Sequence, residues 1–169
     1  TIRGVVPNLV VDNTSASHSA QWDTTLTNYN NISLNITTNT GTSLNLNNAV
    51  FLFAGSTLTN NGTLTHNGAS SRFITFSSTS AQSFTGSGTV TAPMTSFEFQ
   101  SDLGFTFDSG ISNIITNRVI NFVGNVINSN KLTVGNGGAT NATIQIGNTT
   151  TPNAAGKIYF QIVFYPPTS

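Results

Sequence analysis

Glu98, Asp102 and Asp108 form the one local cluster of carboxylates in the chain. Paired carboxylates can hydrolyse glycosides, one as the acid and one as base or nucleophile. Glu98, however, lies between Phe97 and Phe99. On an extended strand it points away from the side those rings share, which makes it a solvated surface charge. Asp102 and Asp108 offer the oxygen ligands that calcium takes, but no dense Asp/Gly repeat surrounds them. The two histidines stand in Ser15-Ala16-Ser17-His18-Ser19 and Thr65-His66-Asn67-Gly68. His18 reads as a loop position and His66 as a solvated corner. His18 with Asp12 or Asp23 has the makings of a serine-hydrolase triad, yet no nucleophile-elbow sequence accompanies it. Zinc finds only these two histidines and no cysteine. Lys131 or Lys157 beside an acid could form a Lys–Asn isopeptide bond; the plainer reading is an exposed lysine. No catalytic residue, cofactor or metal ligand is assigned, and the chain is expected not to be an enzyme.

Binding chemistry has more to work with. Trp22 and Tyr29 are candidates for stacking on sugars, because their rings combine an apolar face with a polar edge; packing in the core is the competing role. Thr-x-Thr occurs at Thr25–Thr27, Thr57–Thr59, Thr63–Thr65 and Thr89–Thr91. Such pairs could form flat hydroxyl ladders of the ice-binding kind. Their spacing is irregular, and the Leu or Val between the threonines is also what any strand needs when one side is buried. Asn-x-Ser/Thr sequons begin at Asn13, Asn31, Asn35, Asn61, Asn141 and Asn148. In a chain with 23 Asn and 28 Thr that number arises by chance.

Charge excludes other partners. Only 6% of the residues are charged, the net charge is zero and no charge run exists. Nucleic acid requires clustered Lys and Arg, and an anionic membrane surface requires the same patch. No apolar run reaches the roughly 20 residues of a spanning helix. Twelve Phe with no net charge argue against disorder. An outside made of amides and hydroxyls is nearly indifferent to salt, because screening acts on charges.

The elements that must carry these side chains are strands. Ile32-Ser33-Leu34-Asn35-Ile36 alternates with period two, and Ser43–Leu46, Val50–Phe53, Thr57–Thr59, Thr63–Thr65, Phe73–Phe76, Thr89–Thr91, Phe97–Phe99, Phe105–Phe107, Val119–Val123, Lys131–Val134, Thr143–Ile146 and Lys157–Tyr165 follow. No window holds a helical period. Asn60-Asn61-Gly62, His66-Asn67-Gly68 and Gly135-Asn136-Gly137-Gly138 supply the corners. Gly62-Thr63-Leu64-Thr65 resembles Gly88-Thr89-Val90-Thr91, about one three-sided coil later, and Leu132–Gly135 resembles Ile144–Gly147. These echoes favour an all-β fold of the β-solenoid type, parallel β-helix-like with a capping C-terminal strand; the alternative is a β-sandwich or jelly-roll. One domain over 1–169 is expected, with an N-terminal segment at 1–20, a repeat-like β region at 21–156 and a C-terminal strand at 157–169. In that last strand Ile158, Phe160, Ile162 and Phe164 alternate with Tyr159, Gln161, Val163 and Tyr165 before Pro166-Pro167 ends it. It reads as a cap on the core or, through Ile158, Phe160, Ile162 and Phe164, as a strand exchanged with a neighbouring copy. Gly4–Val11 is also apolar and suits either part.

Two stretches carry a family resemblance. Ser80-Ala81-Gln82-Ser83-Phe84-Thr85-Gly86-Ser87-Gly88-Thr89-Val90, and Asn125 through Gly138 with its Asn130-Lys131-Leu132-Thr133-Val134-Gly135-Asn136-Gly137-Gly138, resemble a repeat in very large exported surface proteins of Bacteroidota. Ile144–Gly156 and Trp22–Ile36 are similar to neighbouring parts of those proteins. The resemblance spans most of residues 20–156. It implies an adhesin-like or gliding-type cell-surface protein, exported by the type IX route and built of repeated β units, and it brings no catalytic residues. Lys157 onwards departs from the repeat, and no sorting domain follows. The expectation is an extracellular structural or adhesive module without a signal peptide in this chain. Its expected partners are other copies of itself or surface proteins, and glycans, with neither nucleic acid nor membrane insertion. A filament subunit assembled by strand exchange is the alternative, with carbohydrate-binding or ice-binding modules below it.

Overall fold

The computed structural model describes residues 5–12, 19–21, 31–67, 73–101, 103–135 and 142–146. The chain opens with β1 (Val5–Val11) and β2 (Ser19–Gln21), then β3 (Asn31–Thr38) and β4 (Ser43–Asn45). Next come β5 (Phe51–Phe53), β6 (Thr57–Asn60) and β7 (Thr63–Thr65), then β8 (Phe73–Phe76), β9 (Gln82–Thr85) and β10 (Thr89–Thr91). The remainder is β11 (Ser96–Phe99), β12 (Phe105–Phe107), β13 (Ile114–Thr116), β14 (Val119–Phe122), β15 (Val126–Ile127), a 3-10 turn at Ser129–Lys131, β16 (Leu132–Val134) and β17 (Thr143–Ile146).

Every strand pair is parallel, and each strand pairs with its equivalent one coil before or after. The result is a three-sided β-solenoid. Side A stacks β5, β8, β11, β14 and β17; side B stacks β6, β9, β12 and β15. β3 belongs to both sides: Asn31–Ser33 pair with β5, and Ile36–Thr38 pair with β6. β1 pairs along β3 from Val5 to Val11, so the apolar N-terminal segment is the first rung of the ladder. Side C stacks β2, β4, β7 and β10, with the pair β13 and β16 continuing around the later coils. A sandwich would have joined its strands by hairpins; here tight links turn corners instead, as Asn61-Gly62 does between β6 and β7.

Period-two alternation decides which residues fill the core. Phe51 and Phe53, Phe97 and Phe99, and Phe105 and Phe107 all point inward and are buried. Phe53, Phe76, Phe99 and Phe122 occupy one register position in successive coils, 23 residues apart. Their rings form a column: Phe76 and Phe99 stack at 5.1 Å and 3° between planes, and Phe99 and Phe122 at 5.7 Å and 16°. Side B closes on this column edge-on, with Phe105 4.7 Å from Phe76 and 4.9 Å from Phe99. Offset-stacked and edge-to-face pairs each add roughly 0.5–1.5 kcal/mol beyond area burial.

Two expectations need correction. Leu132–Gly135 and Ile144–Gly147 are not equivalent coils: β16 pairs with β13, whereas β17 pairs with β14 on another side. Their likeness reflects the common need for apolar residues at alternate positions. His66 is not a solvated corner either. It is 1% exposed, its Nε2 lies 2.8 Å from the Ala49 carbonyl oxygen, and its Nδ1 lies 2.6 Å from Thr95 Oγ1. A carbonyl only accepts, so Nε2 carries the proton and donates, leaving Nδ1 to accept from the threonine hydroxyl in the neutral ring. Replacing His66 with Leu strands that carbonyl and that hydroxyl in the core, where each lost partner costs about 1–3 kcal/mol. We expect His66→Leu to lower the unfolding free energy by about 2–4 kcal/mol in urea titration; a change within about 0.5 kcal/mol would show that the two contacts are incidental.

Candidate functional site

The outward positions of sides B and C carry hydroxyls and amides in register. On side C, Ser19, Ser43, Thr63 and Thr89 form one rank and Gln21, Asn45, Thr65 and Thr91 the next. Between them Ala20, Leu44, Leu64 and Val90 form the inward row. Thr89 Oγ1 reaches Thr63 Oγ1 at 3.4 Å. On side B, Thr37, Thr59 and Thr85 align, with Thr59 and Thr85 hydroxyls 3.0 Å apart. The irregular sequence spacing of Thr-x-Thr thus has a simple origin. Thr57–Thr59 and Thr63–Thr65 are adjacent sides of one coil, while Thr63–Thr65 and Thr89–Thr91 are the same side of successive coils.

Where side B turns into side C, glycine lets the backbone layers approach closely. A shallow open groove of about 620 Å³ runs across three coils there, lined by Gly41, Thr42, Asn61, Gly62, Ser87 and Gly88 with the Ser43–Thr63–Thr89 rank along one wall. The lining has no ring and no charge. It can exchange hydrogen bonds with neutral hydroxylated matter, and it holds no group that titrates near neutral pH.

The chemically active side chains are dispersed among the described residues. Glu98 faces outward from side A, where Oε1 accepts from Asn121 Nδ2 at 2.9 Å and Oε2 from Thr75 Oγ1 at 3.5 Å. Thr75, Glu98 and Asn121 share one register position in successive coils, so the carboxylate is held as a rung of a polar ladder. Asp108 sits at the end of side B and accepts from the Gly110 amide at 2.9 Å, closing a turn. The acids that are close in sequence therefore stand on different sides, and Asp102 lies outside the described residues. No group of three or more potential metal ligands occurs among the described residues. Lys131 Nζ donates to the Ser109 carbonyl at 2.7 Å, a contact with backbone rather than with an asparagine side chain. No helix among the described residues is long and apolar enough to cross a membrane. Trp22, Tyr29, His18, Lys157, Ile158, Phe160, Ile162 and Phe164 lie outside the described residues.

Sequence reasoning placed the threonines of Thr57–Thr59, Thr63–Thr65 and Thr89–Thr91 outward and the residue between them inward, as found, while Thr25–Thr27 lies outside the described residues; it missed the second hydroxyl rank on side B. Ser83-Phe84-Thr85 and Asn35-Ile36-Thr37 follow the same outward–inward–outward rule without being Thr-x-Thr. A search for any small polar residue on either side of an apolar one would have found it. No protein-family model, no curated protein and no solved structure matches the chain.

Proposed function

We propose that this chain is a structural, adhesive module of an exported bacterial surface protein: a stiff, neutral rod whose flanks offer hydroxyls and amides to neighbouring matter. The observation that carries the reading is the in-register parallel stacking of coils beneath uncharged outward ranks. Each added coil lengthens such a rod by about 4.8 Å, the spacing of adjacent strands. Stiffness follows because each coil is hydrogen-bonded to the next on its sides and shares one continuous apolar core, aromatic from Phe51 to Phe122. The near absence of charge lets copies lie side by side without repulsion. The resemblance of Ser80–Val90 and Asn125–Gly138 to exported surface repeats supports the location.

Two measurements test the reading. Brief protease treatment of intact source cells should release peptides of this chain; peptides that appear only after lysis would overturn the surface location. The melting temperature and the small-angle-scattering cross-section of the purified chain should be the same in low and moderate sodium chloride, because screening has few charges to act on. A melting point or cross-section that moves with salt would overturn the neutral-rod reading.

A further inference from the structure

We infer that the corner where side A turns into side B is a binding groove for a neutral sugar chain. This site deepens the adhesive reading proposed above and rests on it.

The groove is open and about 700 Å³ in volume, lined by Ala54, Ser77, Ser78, Thr79, Gln100 and Leu103. These residues stand just after β5, β8 and β11, so the groove crosses three successive coils in mid-solenoid. Its lining has two parts. Leu103 is 67% exposed and takes no part in the core cluster; with Ala54 it forms a small aliphatic wall. Ser77, Ser78, Thr79 and Gln100 bring three hydroxyls and a carboxamide, groups that both donate and accept. A pyranose ring divides the same way, with C–H groups on its faces and hydroxyls around its rim. Apolar surface joined to a few placed polar groups is the usual make-up of a ligand site.

A buried side chain directly behind the groove gives a second, independent sign. Gln82 is 2% exposed. Its Nε2 donates to the carbonyls of Phe53 at 3.0 Å and Gly55 at 2.8 Å, the two neighbours of Ala54. Its backbone N donates to the Gly104 carbonyl at 3.0 Å, beside Leu103. Gln82 is therefore pinned between the two residues of the aliphatic wall. Its Oε1 is buried and has no hydrogen-bond partner among the described residues. A buried acceptor left unpaired is costly, and a sugar hydroxyl entering beside Ala54 supplies the donor.

The lining also selects against other occupants. It carries no charge, so a phosphate, sulfate or carboxylate finds no cation to pair with. An extended peptide docks by adding to a free sheet edge, but β8 and β9, which flank the corner, are paired on both edges. A lipid tail needs far more apolar surface than one leucine and one alanine offer. A shallow groove that spans coils gains its affinity from several linked rings rather than from one.

The test is an amide-resolved NMR titration of the purified chain with cellotriose, maltotriose, mannotriose and chitotriose, and with 3′-sialyllactose as the charged comparison. We expect at least one neutral trisaccharide to shift the amides of Ser77, Ser78, Thr79, Gln100 and Leu103 with a dissociation constant of about 1 mM, and the sialylated sugar to shift none of them. Leu103→Ala should weaken that binding about tenfold, and Leu103→Trp should strengthen it, because an indole gives the sugar a wider face. Both changes fall at an exposed position, and an unchanged melting point verifies the fold. Four neutral sugars without effect at about 20 mM would overturn the inference. So would shifts confined to the groove at Gly62 and Gly88, equal binding of the sialylated sugar, or an affinity that Leu103→Ala leaves alone. None of these results alters the protease-release or salt measurements, so a failed sugar site and a failed surface rod are told apart.

Discussion

Phe99→Ala is expected to remove about 4–5 kcal/mol of unfolding free energy, toward the upper end of what phenylalanine truncation costs in a core. Phe99 is 1% exposed and sits mid-column, stacked between Phe76 and Phe122. It also meets Phe105 at 4.9 Å and Phe107 at 5.6 Å across the core. Four rings therefore lose a contact at once, and a solenoid held by paired strands on its sides has little freedom to collapse onto the void. A domain of this size has roughly 5–15 kcal/mol in total, so the variant is expected to be close to unfolded at ambient temperature. Because coils contact only their neighbours, the break should appear as two transitions in denaturant, one for each side of the lesion. Leu103→Ala is the control: Leu103 is 67% exposed, and its loss should stay within about 0.5 kcal/mol. A Phe99→Ala chain that melts like wild type would show that the ring column does not hold the coils together.

Gly88→Ala should cost about 3 kcal/mol or more, the upper range for forcing atoms into a filled space. A methyl at Gly88 would be driven into the Gly62 carbonyl oxygen and would lie 2.8 Å from that of Asn60. Both obstacles are backbone, and both are engaged: Thr89 N donates to Gly62 O at 2.9 Å and Gly88 N to Asn60 O at 2.8 Å. The corner can admit the methyl only by opening the ladder between coils. Gly110→Ala provides the contrast, since its methyl would meet nothing closer than the Gly86 carbonyl oxygen at 3.4 Å, and it should melt within a few degrees of wild type. Equal melting points for the two variants would show that the corner yields more easily than its geometry implies.

Much of this architecture is legible in the residues. Thr63-Leu64-Thr65 and Thr89-Val90-Thr91 announce both a strand and its partner one coil on, because only residues facing the core need be apolar and corners need Gly and Asn. The recurrence of Phe53, Phe76, Phe99 and Phe122 was equally available and would have given the coil length on side A outright. What the sequence conceals are features set by three-dimensional neighbours. His66 beside Asn67-Gly68 has the local signature of a surface turn, and only the arrival of Thr95 and Ala49 from other parts of the chain makes it a core residue. Glu98 reads correctly as outward, but its ladder with Thr75 and Asn121 emerges only from register between coils. The strands β2, β13 and β15 escape notice because Ser19-Ala20-Gln21 has only an alanine to face the core, while Ile114-Ile115 and Val126-Ile127 set apolar residues side by side instead of alternating them.

The register holds while the length of chain between register partners varies, from 18 residues between Ile114 and Leu132 to 27 between Val5 and Ile32. All of that variation is absorbed where sides meet. Insertions and deletions are consequently cheap at the corners and ruinous within the three- or four-residue strands, where a slip by one position would turn the phenylalanines outward. Closing a longer surface excursion adds only about 0.6 kcal/mol for each doubling of its length. A lineage can thus redraw the decoration of this scaffold, one bend at a time, while the interior is inherited unchanged.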